Sequence, residues 1–223
     1  MPVLRIEPRR LAWLLGCGIA FNVVAGALNA WLRVGQGRTT MMGFARMFNM
    51  DLEGTFPAWF SALALLLCAG LLVLIAVARR QQSERFATHW LILALLFVFL
   101  SADEAAAIHE AMARFASTLT NGRAGNLWVN IPLIAAVGLA YFRFLLHLPR
   151  HTLVLFLVAA ASFFAGIFGL EMIGEAFVTT RPGVYAALVV VEETFEMTGT
   201  ALFAYALADY LRRYAPELAL RFA

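Results

Sequence analysis

The sequence predicts an all-α fold, a polytopic membrane protein built as a bundle of six transmembrane helices. Three observations predict it. Of the 223 residues, 62% are hydrophobic and only 14% are charged, whereas soluble domains carry about a quarter charged residues. Mean hydropathy is +0.80. Apolar runs of about 20 residues recur along the chain, each long enough to cross a hydrocarbon core of about 30 Å. No separate soluble module, linker or repeat stands out, so 1–223 reads as a single transmembrane domain.

The first span, 11–32, follows Arg5, Arg9 and Arg10. It is too long for the apolar core of a signal peptide and reads as a retained helix. Residues 34–56 form the longest connection and carry Met41, Met42, Phe44, Met47, Phe48 and Met50, then Asp51 and Glu53. That mixture suits a short amphipathic helix in the outer interface, or a lid over whatever opens on that side. The remaining spans are 57–78, 88–112, 127–147, 152–177 and 185–211. Pro57, Pro132, Pro149 and Pro182 lie at or near span ends, where a missing amide donor is tolerated.

All 17 basic residues are arginine. Eleven flank one side of the predicted bundle and six the other, which places both termini in the cytoplasm. The arginines flank spans and form no patch, so nothing points to nucleic acid; membrane lipid is the expected surrounding. Cys17 and Cys68 fall inside apolar runs and read as small packing residues. Asn22, Asn29 and Asn130 are placed to bond between helices, and His89, His147 and His151 sit at the cytoplasmic span ends.

The informative residues are acidic. Asp103, Glu104, Glu110, Glu171, Glu175, Glu192, Glu193 and Glu196 all lie inside predicted spans, with His109 among them. A carboxylate near the bilayer centre costs on the order of 3 kcal/mol even on the lenient insertion scale. In span 88–112, Asp103 and Glu110 are seven apart and share a helical face, with Glu104 and His109 on either side. Glu171 and Glu175 share a face in span 152–177, beside a small-residue stripe of Ala161, Ala165 and Gly169 that predicts close helix approach. Glu192 and Glu196 share a face of span 185–211, with Glu193 about 100° away. Three helices thus bring acids to the same half of the membrane, which predicts one acidic cup facing the outer side.

Eight carboxylates and an imidazole cannot all be charged in one partly buried site, and a divalent cation would neutralise several of them. Carboxylate-rich helical bundles hold iron or manganese pairs in this way, and imidazole also admits zinc. Asp103, Glu104, His109, Glu110, Glu171, Glu175, Glu192 and Glu196 are the candidate metal ligands, and Glu193 is the candidate catalytic base. The Glu-x-x-His pairs of the usual di-iron bundle are absent, so residue type and convergence carry the expectation. A metal here would support hydrolysis by activated water, or oxidation, of a lipid-soluble substrate. A proton- or cation-coupled transporter is the alternative, as is a non-catalytic accessory subunit of a membrane complex.

The blocks Ser101-Ala102-Asp103-Glu104, His109-Glu110, Glu171-x-x-x-Glu175 and Glu192-Glu193-x-x-Glu196-Met197 resemble those of a family of bacterial multipass membrane proteins with acidic intramembrane motifs. The similarity covers most of the chain, including Asp51 to Trp59. It implies a six-helix protein of the bacterial inner membrane with an acidic core, and brings no assigned activity. Glutamic intramembrane proteases also pair two glutamates, but follow them four positions later with arginine, where this chain has Met197.

Overall fold

The computed structural model describes residues 6–37, 44–119 and 126–214. Met41 and Met42, and the side chains of Phe44, His109, Glu110, Asn130 and Glu175, lie outside the described set. In chain order the helices are α1 (Pro8–Ala30), α2 (Phe44–Met47), α3 (Phe56–Gln81), α4 (Ala87–Ala106), α5 (Ile108–Leu119), α6 (Asn126–His147), α7 (Arg150–Phe164), α8 (Glu171–Glu175) and α9 (Pro182–Tyr214). Two π-helical segments interrupt this order, Trp31–Gly35 at the end of α1 and Ala165–Leu170 between α7 and α8. The protein is all-α, and among the described residues four helices are long and apolar enough to cross a membrane: Pro8–Gly35, Phe56–Gln81, Ala87–Ala106 and Arg150–Gly174.

Local chemistry sets the helix starts. Thr55 caps α3 by accepting from the Ala58 amide, and Pro57 occupies the first turn, where its absent N–H costs nothing. Pro8 and Pro182 open α1 and α9 in the same way.

α9 is the axis of the bundle. It packs against α1, α3, α7, α8 and the Ala165–Leu170 segment, while α3 also pairs with α4. α1 and α9 run antiparallel: Val34 approaches Gly183 at one end, and Leu15 shares a core cluster with Leu211 towards the other. The start of α1 and the end of α9 therefore lie together at what we term the terminal end; the opposite end is the acidic end. The core at the terminal end is aromatic, with Trp90 edge-on to Phe144 at 4.8 Å and against Tyr210 at 4.9 Å. Cys68 is fully buried there, as expected of a packing residue, whereas Cys17 is exposed; both are free thiols.

Three expectations are corrected. The span predicted as 88–112 is not one helix. α4 ends at Ala106, Ala107 adopts a left-handed φ of 55°, and a separate amphipathic helix begins at Ile108. Beyond that point the apolar residues narrow to the stripe Ile108, Met112, Phe115, with Arg114 and Thr118 on other faces. Such a pattern suits an interface helix rather than a crossing, and one left-handed residue supplies the turn at a cost of about 1 kcal/mol.

The small-residue stripe is also displaced. Ala161 and Gly169 are exposed, and the close approach of α7 to α9 is made by Gly166 and Gly199. A Cβ on Gly199 would lie 2.7 Å from the Phe163 amide nitrogen. Ser162 reinforces the contact by donating to the Phe195 carbonyl at 2.9 Å.

Residues 44–56 do more than lie in the interface, for Ala45, Asn49 and Met50 are buried. Met50 seats on Gly26 and packs with Val189 and Met197, and the Asn29 amide donates to the Ala45 carbonyl. Asn22, predicted to bond between helices, donates instead to Gly18 of its own helix.

Candidate functional site

The acids of three helices converge. Glu193 of α9 lies within electrostatic reach of Glu104 of α4, of Glu192 beside it, and of Asp51 and Glu53 from the loop before α3. Glu196 feels Glu193, Glu104, Glu192 and Glu171. Glu192 feels Glu171 and Asp51. Among the candidate ligands, Glu104, Glu171, Glu192 and Glu196 therefore occupy one neighbourhood with Glu193. Asp103 is half-buried next to Glu104 on α4. His109 and Glu110 sit on α5, after the break, so the seven-residue spacing from Asp103 to Glu110 no longer sets a shared face. Glu175 ends α8.

Specific contacts hold these carboxylates in place. Ser101 donates to the Ala62 carbonyl at 2.8 Å and fixes α4 on α3 less than one turn before Asp103 and Glu104. Glu196 lies across Gly166, where an added Cβ would come within 2.7 Å of its Cγ and 3.0 Å of the Glu192 carbonyl. The π segment then decides where Glu171 goes. In a regular α-helix, residues five apart diverge by about 140°. With i to i+5 bonding they stack, so Glu171 follows Gly166 onto the face turned to α9, consistent with its reach to Glu192 and Glu196.

Among the described residues, no arginine forms an ion pair with Glu192, Glu193 or Glu196. Arg33, in the π segment of α1, lies near enough for its charge to act on Tyr185, and its Nε is buried without a hydrogen-bond partner. The Tyr185 hydroxyl donates to Asp51 at 2.5 Å, tying the loop to the start of α9. Asn22 is fully buried and its Oδ1 accepts no hydrogen bond among the described residues. Among the described residues, no group of three or more His, Cys, Asp or Glu side chains is arranged as a preformed metal cage.

Three participants escaped the sequence reading. Asp51 and Glu53 lie outside the predicted spans, and nothing in a linear hydropathy pattern brings a loop acid back over a helix end. Arg33 has in the sequence only the signature of a charge flanking a span. A further acid, Asp209, lies inside the span 185–211 but belongs to the other end, where it is buried against Arg212 at 2.8 Å and Arg213 at 2.5 Å.

No curated protein and no solved structure matches the chain. Residues 15–210, nearly the whole helical bundle, match a family described as a domain of unknown function, DUF8692. The chain belongs to the DUF8692 family.

Proposed function

We propose that this protein is a six-span bacterial inner-membrane protein with cytoplasmic termini, whose acidic end faces outward, binds a divalent metal ion and acts through it on a lipid-soluble substrate. α6 and α9 supply the fifth and sixth crossings beside the four apolar helices; α9 tolerates its glutamates because its neighbours surround it. The observation carrying the reading is that Glu104 and Glu171, from two other helices, both lie within electrostatic reach of Glu196 on α9, as do Glu192 and Glu193. Burying like charges together is affordable only when a cation or a proton offsets them. Oxygen donors favour iron or manganese, and His109 at the start of α5 would extend the range to zinc. Asp103, Glu104, His109, Glu110, Glu171, Glu175, Glu192 and Glu196 are the proposed ligands, with Glu193 as the base. A bound metal would supply an activated water or a redox centre.

A proton- or cation-coupled transporter is the second reading. It is favoured by the absence of a preformed three-ligand group among the described residues, since a chain of acids sharing protons needs no cage.

Elemental mass spectrometry on purified protein tests the first reading, with wild type beside Glu196→Gln and His109→Ala. About one or two metal equivalents per chain are expected, as in carboxylate bundles, and lost in Glu196→Gln. Folded protein that takes up no iron, manganese or zinc overturns the metal site. Proton flux in sealed proteoliposomes, abolished by Glu193→Gln, would then establish the transporter.

A further inference from the structure

Two hollows lie side by side between the end of α1 and the start of α9. One is an apolar groove of about 400 Å³, lined chiefly by Ala27, Trp31, Val34, Gly183 and Ala187. That volume is within the range of small-molecule sites. The other is a crevice of about 10 Å³, lined by Arg33, Asn49, Asp51 and their neighbours, and it has room for about one water-sized atom. Ala30, Ala186 and Val190 line both hollows, so the apolar and polar surroundings adjoin there. We propose that the pair is a binding site for a single-chain amphiphile with an oxyanionic head. The chain lies in the groove, and one head oxygen enters the crevice to accept from Arg33.

The head chemistry follows from what the crevice lacks. Arg33 Nε is buried with no acceptor among the described residues, and a guanidinium donor is best satisfied by a carboxylate or phosphoryl oxygen. Asp51, the acid of the crevice, already accepts from Tyr185. An alcohol or amine head lacks the charged oxygen acceptor that best satisfies the orphaned Nε.

The position relates the amphiphile to the acids. Ala186, Val190 and Glu193 follow one another at four and three residues along α9 and share a face. A head at Val190 therefore lies about one helical turn, roughly 5 Å, from the level of Glu193. The site names the substrate class for the proposed function and rests on that reading for any reaction, but the binding is measurable without it.

Chain-brominated hexadecyl phosphate, palmitate and neutral hexadecanol are the probes, and quenching of Trp31 is the readout. Trp31 emission is isolated as the difference between wild type and Trp31→Phe in the same detergent. Phosphate or palmitate should quench saturably, at least about tenfold more tightly than hexadecanol, a gap of about 1.4 kcal/mol. Arg33→Gln should remove that preference, and Ala187→Phe, which fills the groove, should remove binding of all three. The stronger of the two acidic heads identifies the physiological class. Equal affinity for hexadecanol and the acids, or a preference that survives in Arg33→Gln, overturns the inference. Thermal melting of each variant excludes misfolding. Metal content of the same samples separates the two claims: metal without Arg33-dependent quenching defeats only the amphiphile site, and the converse defeats only the metal site.

Discussion

The two ends of the bundle bury charge by opposite rules. At the terminal end each buried charge among the described residues has a partner. Arg79, 6% exposed, donates to Glu84 at 2.5 Å and Gln82 at 2.9 Å and lies over the Tyr210 ring at 4.9 Å. Asp209, 1% exposed, is held by Arg212, Arg213 and His151. At the acidic end Glu192, Glu193 and Glu196 face other carboxylates. Paired charges make a site that is complete in itself, whereas gathered like charges make one that is completed by something from outside. The first arrangement serves folding; the second underlies the proposed binding of a cation.

Neutralising a charge should therefore have opposite signs at the two ends. The largest effect is expected for Arg79→Met, which strands Glu84 and removes the cation–ring contacts; melting in detergent should report a loss of about 3 kcal/mol. An unchanged melting temperature would break the claim that this end is built on pairing. Asp209→Asn should cost about 2 kcal/mol by the same measurement, since it weakens two charge-assisted bonds. Gly199→Ala, which forces a Cβ against the α7 backbone, should also cost about 2 kcal/mol, while Gly16→Ala, with open space around it, should be nearly silent.

At the acidic end the sign reverses. Glu193→Gln should stabilise the metal-free protein by about 1 kcal/mol, because it removes repulsion at an effective dielectric near 20. The same variant should lose the rise in melting temperature that added manganese or iron gives wild type. Destabilisation of the metal-free protein would show that Glu193 is paired after all. The smallest effect at this end is expected for Tyr185→Phe, about 0.5 kcal/mol, read most sensitively as faster metal uptake once Asp51 is no longer tied down.

Much of the helical layout was legible in the chain. The predicted starts at 57 and 185 fall within a turn of α3 and α9, because prolines and long apolar runs act locally. The grouping of Glu171, Glu192, Glu193 and Glu196 with Glu104 was legible too, since acids cannot be scattered through lipid-facing positions. What failed was phase. The α-helical spacing that placed Ala161, Ala165 and Gly169 in one stripe, and joined Asp103 to Glu110, holds only while the helix is regular. A π segment in one case and Ala107 in the other reset it.

Hydrophobic composition thus determined by itself that this protein is made of long apolar helices, and the cost of a buried carboxylate determined that its acids must gather. Only the tertiary structure decided which surfaces they share. It turned Glu171 onto α9 through Gly166, brought Asp51 back over the end of the bundle, and left Arg33 beside an apolar groove. Those choices depend on contacts between distant segments, and no period along the chain encodes a contact it does not itself make.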